Sequence, residues 1–177
     1  LIDYARWFVT RLNTNGVLLT PALAQKLRAA SLDSVQITLY SHASAIHNEL
    51  VGSEHFADTV NGIRAAVAAG LDVSVNTPLC RKNADYVKTL TFLCDLGVRF
   101  VTVSGLICTG MAQDSHRDFD LNGDELFDIL REAKAFCNEH GMEMDFTSPG
   151  LVAREKLESL DMNVPACGAC LSNMAIA

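Results

Sequence analysis

The sequence predicts an α/β fold in which about five parallel β-strands alternate with helices that cover the outside of the sheet. Short runs rich in β-branched residues, such as residues 71–76, alternate with longer stretches whose apolar residues recur every three to four positions. The units repeat at roughly 25 to 40 residues, and this order implies right-handed βαβ crossovers. Periodicity alone does not separate a barrel from a doubly wound sheet.

The element boundaries follow from capping and turn residues. The predicted strands cover residues 9–13, 35–40, 71–76, 98–103 and 142–147. The predicted helices begin at the N-cap residues Thr20, Ser53, Asn83 and Asn122, and three of them end at glycines, Gly70, Gly97 and Gly141. Asn122 and Glu125 have the spacing of a capping box. Ser148 and Pro149 begin a last short helix.

The composition indicates one globular domain and excludes several functional classes. The chain has 177 residues, of which 49% are hydrophobic and 20% are charged. Its net charge is −7 and its Lys and Arg residues do not cluster, so nucleic acid is not the expected partner. No apolar run approaches the roughly 18 to 20 residues of a membrane span, and no signal pattern opens the chain. We expect a cytoplasmic protein without a membrane partner.

Both ends of the chain look like cuts in a longer protein. The sequence begins at Leu1 rather than at an initiator Met, and it ends in an apolar run, residues 174–177, without a capped helix or another stop signal. We therefore expect the chain to begin within a longer protein or to follow processing.

Polar side chains follow the predicted strands at their carboxyl ends, where parallel α/β folds bind ligands. These segments are residues 13–16, 38–42, 76–78 and 104–106. Their Ser, Thr and Asn side chains suit ribose hydroxyls, an adenine edge or an amino-acid headgroup, and do not suit a hydrolase with paired carboxylates. We favour a ligand site, and the alternative is that these groups only satisfy loop backbone.

Other motifs are absent or weak. Neither a Gly-rich phosphate loop nor a G-x-S-x-G elbow occurs, so a nucleotide triphosphatase, a Rossmann dehydrogenase and an α/β-hydrolase have no motif support. His42, His47 and His55 fall close together but fit no H-E-x-x-H pattern. We expect His42 and His47 to lie in a solvated loop rather than in a metal site.

Only two of the six cysteines are close enough for shared chemistry. Cys167 and Cys170 form a C-x-x-C, which is typical of zinc, an iron–sulfur cluster or a redox pair. The other four are scattered among aliphatic residues, as buried hydrophobes are. We interpret the pair as metal or cluster ligands of a longer parent, and the alternative is two incidental cysteines in an apolar tail.

An ordered string of motifs over nearly the whole chain resembles the radical S-adenosylmethionine (SAM) enzymes. Residues 13–19 resemble the TNG-x-LL stretch after their third barrel strand. Residues 35–41 resemble the fourth strand, 47–56 the segment after it, 73–83 the fifth strand with its Asn, and 101–110 the sixth strand. Residues 167–176 resemble the opening of a SPASM domain, a C-terminal extension that binds auxiliary iron–sulfur clusters.

The resemblance implies a partial (βα) barrel over residues 1–163 and the start of a SPASM-like segment over residues 164–177. The parent would use SAM and a [4Fe–4S] cluster to generate a 5′-deoxyadenosyl radical that modifies a peptide or a small cofactor. The implied SAM-binding residues are Asn13, Asn15, Thr38, Tyr40, Asn76, Leu106 and Ile107. The implied cluster ligands are Cys167 and Cys170. No catalytic residue is assigned.

The chain also departs from the family pattern. The C-x-x-x-C-x-x-C that holds the catalytic cluster and the following GGE stretch are both missing from it. Tyr40 stands where many members have Asp, and Val51 stands where many have Arg, so Arg81 or Lys82 are candidates to bind the SAM carboxylate. We expect the fragment itself to be inactive and to bind no cofactor.

Two further expectations concern assembly and alternatives. A sheet cut before its first strand exposes a backbone edge and an apolar barrel interior, which predicts a homo-oligomer. A different βα-barrel enzyme would need a Lys base or a phosphate site at a strand end, whereas a non-catalytic binding domain needs only the fold. A cysteine triad encoded upstream would favour the radical SAM interpretation.

Overall fold

A computed structural model describes residues 1–105, 120–148 and 150–164, in which five strands form one parallel sheet. The strands are β1 (Arg11–Thr14), β2 (Ser34–Thr38), β3 (Val73–Leu79), β4 (Phe100–Gly105) and β5 (Glu143–Phe146). The helices are α1 (Pro21–Ala29), α2 (Ser44–Val51), α3 (Phe56–Ala68), α4 (Tyr86–Asp95), α5 (Gly123–His140) and α6 (Arg154–Ser159). A 3₁₀ turn, Arg81–Asn83, follows β3.

The strand order separates the two architectures that periodicity left open. The strands lie side by side in chain order, β1-β2-β3-β4-β5, and every pair is parallel. In a doubly wound sheet, the direction in which successive strands are added reverses at a switch point, so helices cover both faces. When right-handed crossovers always add the next strand on the same side, all the helices lie on one face of the sheet. The predicted partial (βα) barrel with outer helices is therefore confirmed.

The two faces of the sheet differ in chemistry. On the helix side, Val35, Ile37, Val75 and Val103 are all 0% exposed and belong to one core with the outer helices. The alternating positions face an open concave side and are mostly polar. The expected apolar barrel interior is wrong, because successive side chains of a strand point to opposite faces and these strands place their apolar set only toward the helices.

Several predicted caps are confirmed. The Thr20 Oγ1 accepts a hydrogen bond from the Leu23 backbone N–H at 3.2 Å, and Pro21 holds the first position of α1. Asn122 and Glu125 form the predicted capping box of α5. Gly70, Gly97 and Gly141 have φ values of +70°, +84° and +64°, so each ends its helix in the left-handed conformation that glycine adopts without strain.

Other boundaries were wrong. The structure has an additional helix, α2, within the segment for which the sequence predicts a loop. Ser53 does not cap α3; instead the Asn48 Oδ1, from α2, accepts the Phe56 backbone N–H at 3.0 Å. Asn83 lies in the 3₁₀ turn, and α4 begins three residues later.

The first strand and the last helix also shift. The first strand begins at Arg11 rather than at Val9, whose side chain is 89% exposed. The last helix, α6, begins at Arg154 rather than after Ser148, whose hydroxyl instead accepts the Gly105 backbone N–H at 2.9 Å. No helix of the described residues is both long and apolar enough to span a membrane.

Candidate functional site

A cleft of about 400 Å³ opens at the carboxyl ends of β1 and β2. Three of the predicted cofactor-binding residues, Asn15, Thr38 and Tyr40, line it together. The other lining residues come from the β1–α1 loop and from α2, α3 and their connection, and they are Val17, His47, Leu50, Val51, Ser53, His55 and Thr59. The cleft therefore has no Lys or Arg among its lining residues, and its polar groups are hydroxyls, an amide and imidazoles.

The loop after β1 is held against α3 by backbone packing. Gly16 has a φ of +79°, and a Cβ on Gly62 of α3 would lie 2.2 Å from the Gly16 carbonyl oxygen. The Thr59 hydroxyl donates to the Asn15 carbonyl oxygen at 2.9 Å, and the Asn15 Oδ1 accepts the Val17 backbone N–H at 3.2 Å. The Asn-Gly pair is thus needed for the loop shape, and that shape places Asn15 in the cleft.

Tyr40 follows β2 and presents a phenol to the same cleft. Burial, and secondarily the nearby Cys80, raises the pKa of the Tyr40 hydroxyl above its usual value. The group is therefore a neutral donor and acceptor at physiological pH rather than the carboxylate that many radical SAM enzymes carry at this position. Any ligand contact here is a hydrogen bond to an uncharged group.

His47 is buried on α2, with 2% of its surface exposed, so the expected solvated loop is wrong for this residue. The Tyr40 backbone N–H donates to the His47 Nδ1 at 3.2 Å, and the Tyr40 and Phe56 rings approach the imidazole edge-on, with centroids 6.0 and 5.7 Å away. Burial, and then the nearby His55, lowers the pKa of His47, which favours the neutral form of the ring.

The three histidines do not form one centre. His42 contacts the Thr89 hydroxyl through its Nδ1 at 3.3 Å, whereas His55 lies 3.5 Å from the Asp58 carboxylate. Across the residues that the structure describes, no three His, Cys, Asp or Glu side chains come together as a metal site would require.

Asn76 lies on the open face of the sheet, beside Thr38. The two residues are register partners of β3 and β2, and Thr102 is the next partner along the same row. The Thr102 hydroxyl donates to the Asn76 Oδ1 at 3.0 Å and accepts from the Gln36 amide at 2.8 Å. This hydrogen-bonded row borders a second cavity of about 540 Å³ over the open face.

Sequence reasoning missed most of this face. Gln36 and Thr102 line the second cavity with Asn76 and Ser104, and the signal that Gln36 and Thr102 share is a polar residue between two apolar β-branched residues. Charged residues also line this cavity: Arg11, Asp72 and Glu143 lie toward the amino ends of the strands, and Asp145 is the register partner of Thr102. Searching only strand ends overlooks side chains that lie within strands but face a cavity.

The remaining predicted residues separate into three groups. Asn13 pairs with Gln36 in the sheet register and so lies on the open face, but it lines neither cavity. Leu106, Ile107, Cys167 and Cys170 lie outside the described residues. Arg81, a candidate for the SAM carboxylate, makes a bidentate ion pair with Glu125 at 2.7 and 2.9 Å, and Lys82 pairs with Glu49.

Asn83 joins the loops that follow β2 and β3. Its amide donates to the carbonyl oxygens of Tyr40 at 2.7 Å and Pro78 at 2.9 Å, and its Oδ1 accepts the Cys80 backbone N–H at 2.7 Å. The side chain is 4% exposed. It fixes the position of Tyr40 without lining either cavity, which makes it a structural part of the site.

Sequence comparison finds curated relatives over much of the chain, although no family model matches it. The chain is 30% identical over 139 residues to an AdoMet-dependent heme synthase of Methanosarcina barkeri (strain Fusaro / DSM 804). The aligned residues cover 73% of this chain and 40% of that protein. It is 34% identical over 89 residues to a probable GTP 3′,8-cyclase of Sulfurisphaera tokodaii, which covers 49% and 28%. The chain thus spans well under half the length of these relatives.

Solved structures share the fold. Streptococcus suis SuiB bound to the precursor peptide SuiA superposes with a TM-score of 0.67 at 11% identity, covering 84% of this chain and 33% of that one. The enzyme anSMEcpe with bound AdoMet and the Kp18Cys peptide superposes with a TM-score of 0.62 at 14% identity, covering 76% and 39%. The sequence relatives support a relationship to the radical SAM enzymes, and the solved structures show that this chain shares their fold.

Proposed function

We propose that this chain forms the later βα units of a radical SAM barrel and contributes part of its SAM-binding surface. In the whole protein, SAM together with a [4Fe–4S] cluster would supply a 5′-deoxyadenosyl radical for the modification of a peptide or a small cofactor. The neighbours SuiB and anSMEcpe are described with peptides, whereas the curated relatives are named for heme synthesis and GTP cyclisation. Both substrate classes therefore stay within the proposal.

One observation carries the proposal: Thr38 and Asn76 sit side by side on the open face, next to a cleft that also gathers Asn15 and Tyr40. These side chains offer hydroxyl and amide groups without a charge. Such groups fit ribose hydroxyls and the edge of an adenine ring, which are uncharged donors and acceptors. The residues present therefore fit the nucleoside part of SAM.

The chain's own residues bind and orient rather than react. Thr38, Asn15 and Tyr40 would hydrogen-bond the ligand, and the row from Gln36 through Thr102 to Asn76 keeps the Asn76 amide in one orientation. The helix-side core keeps the back of the sheet dry. Positioning of this kind is what a protein contributes when a cofactor supplies the reactive species.

The segment 164–177 belongs to the proposal as the start of a SPASM-like extension. Cys167 and Cys170 would ligate an auxiliary cluster there, and residues 1–163 would form the barrel part. Mutating both cysteines to Ser in the natural gene product should lower the iron bound per chain. An unchanged iron content would contradict this assignment.

SAM binding is the direct test. We expect the natural gene product, titrated with SAM by calorimetry, to bind it, and Thr38→Val or Asn76→Ala to weaken binding about tenfold, which corresponds to about 1.4 kcal/mol. Ser74→Ala is the matched control, since Ser74 lies on the same strand and face as Asn76, two residues nearer the amino end. Equal affinities for all four proteins would overturn the proposed site.

We also propose that the 177-residue chain alone cleaves no SAM. Anaerobic reconstitution with iron and sulfide, followed by chromatography for 5′-deoxyadenosine, should give none from the chain and should give product from the protein with its upstream sequence. If the gene encodes no upstream C-x-x-x-C-x-x-C, the alternatives are a different βα-barrel enzyme or a non-catalytic binding domain. Self-association of the chain through its sheet edge is a further part of the proposal.

A further inference from the structure

The His47 imidazole is the most deeply buried titratable side chain that lines the cleft. It is 2% exposed, yet it borders the same cavity as Asn15 and Thr38. Neither a solvated surface histidine nor a core histidine enclosed on all sides fits this placement. A polar ring that is buried yet borders a cavity points toward a ligand.

One of the two ring nitrogens has a fixed role. The Tyr40 backbone N–H donates to Nδ1, so Nδ1 carries a lone pair, and the proton of a neutral ring resides on Nε2. The Tyr40 and Phe56 rings pack on the imidazole, and Phe56 in turn stacks on Phe92 with centroids 6.1 Å apart. The ring orientation and the tautomer are therefore both set before any ligand binds.

The second nitrogen has no protein partner in the part of the chain that the structure describes. The hydrogen bonds of His47 within residues 1–105, 120–148 and 150–164 are limited to the one at Nδ1. Because the His47 ring borders the cleft, its Nε2–H is available to donate to an acceptor on a bound ligand. No Lys or Arg lines the cleft, so its donors suit an uncharged oxygen such as a hydroxyl.

We propose that His47 acts as a two-sided positioning residue. Its Nδ1 holds the carboxyl end of β2 through the Tyr40 backbone, and its Nε2–H donates a hydrogen bond to a ribose hydroxyl of the ligand in the cleft. The ligand half of this inference rests on the proposed function, under which the ribose belongs to SAM. The tautomer and the hold on β2 stand on the geometry of this chain alone.

Two isosteric substitutions separate the two sides of the ring. His47→Asn places an amide oxygen near the position of Nδ1 and removes the Nε2 donor. His47→Gln places an amide nitrogen near the position of Nε2 and removes the Nδ1 acceptor. His140→Asn is the control, since His140 is an exposed histidine in the last turn of α5, far along the chain from the cleft.

Nitrogen NMR of the chain labelled at histidine tests the geometry without a ligand. We expect the His47 signals, assigned by their loss in His47→Asn, to show a neutral ring protonated at Nε2. Addition of adenosine should shift the Nε2 signal and leave the tautomer unchanged, whereas addition of methionine should shift it little. A ring protonated at Nδ1 would overturn the whole inference.

Binding and stability measurements complete the test. His47→Asn should retain most thermal stability but bind SAM about three- to tenfold more weakly, the range expected for one hydrogen bond. His47→Gln should lose more thermal stability than affinity. If the wild type binds SAM and all variants bind it equally, the ligand half is wrong while the proposed function stands. If the wild type binds neither SAM nor adenosine, both the proposed function and the proposed hydrogen bond from Nε2 to a ribose fail. The NMR tautomer then decides whether Nδ1 holds the Tyr40 backbone.

Discussion

At the scale of single residues, asparagine side chains organise the site mainly by holding backbone. Asn48 caps α3 from the preceding helix, and Asn83 ties together the loops after β2 and β3. The sequence marked Asn83 as an N-cap because Asn favours that position. The side chain instead makes local contacts with Cys80 and Pro78 and one contact with the Tyr40 carbonyl oxygen, 43 residues away, and a propensity for local caps does not report the distant contact.

Replacement of Asn83 by Ala should destabilise the fold strongly. The change leaves the Cys80 backbone N–H and two carbonyl oxygens without their side-chain partner in a buried setting, so we expect a loss of about 2 to 3 kcal/mol in the free energy of unfolding. Urea denaturation measures it. Asn61→Ala, at an exposed position of α3, is the control and should change stability by less than about 0.5 kcal/mol. Equal effects of the two substitutions would contradict the assigned role.

Protonation of His47 should make stability depend on pH. Its folded-state pKa is lowered by burial and then by the nearby His55, so below about pH 6.5 the unfolded chain binds a proton that the folded chain does not. Stability should therefore be unaffected above that pH and should fall as the pH drops below it. His47→Asn should flatten this slope between about pH 6.5 and 5, and an unchanged slope in that variant would assign the effect to other groups.

At the scale of secondary-structure elements, sequence patterns gave the helices with strong end signals and missed the one without them. The amino-terminal ends of α1 and α5 carry side-chain caps, and both helix starts were predicted. Helix α2 has Ala43 at its N-cap position and no side-chain cap bond, so its start has no local signal. Because α2 was not predicted, the burial of His47 was not predicted either. That burial depends on the packing of α2 against β2 and Phe56 and not on the residues next to His47 in the sequence.

Contact between α3 and the β1–α1 loop should depend on Gly62. Substitution by Ala adds about 1 kcal/mol of intrinsic helix propensity, but the new Cβ meets the Gly16 carbonyl oxygen, which is backbone and cannot rotate away. We expect the clash to win, with a net loss of about 1 to 3 kcal/mol in stability and weaker SAM binding as Asn15 moves. A net gain in melting temperature would show that the helix and loop separate without cost.

At the scale of the whole molecule, strand order and face polarity had to come from tertiary structure. Repeating βα units predicted the parallel sheet, but only the order β1 to β5 identified a partial barrel. The alternation of Gln36 and Thr102 with apolar neighbours is visible in the sequence, although nothing in the local sequence indicates which face the helices cover. Because α3, α4 and α5 pack on the apolar face of the sheet, the polar face is the one left on the concave side.

The two edges of this sheet differ in their readiness to pair with another chain. Strand β5 has four residues and carries the carboxylates of Glu143 and Asp145, charges that discourage edge pairing. At the other edge, β1 is preceded by a segment whose Trp7, Phe8 and Val9 side chains are 69%, 68% and 89% exposed. Apolar exposure adjoining an open strand favours association at β1.

The 177-residue chain should therefore associate in a concentration-dependent way, and the double variant Trp7→Ser/Phe8→Ser should shift it toward monomer. Light scattering coupled to gel filtration over a hundredfold range of concentration measures the change in mass. Leu18→Ser is the matched control, because Leu18 is 80% exposed but lies beyond the carboxyl end of β1, and it should leave the mass unchanged. A monomer at every concentration would mean that the β1 edge does not drive pairing. An equal decrease in mass for Leu18→Ser would mean that association depends on general surface hydrophobicity and not on this edge.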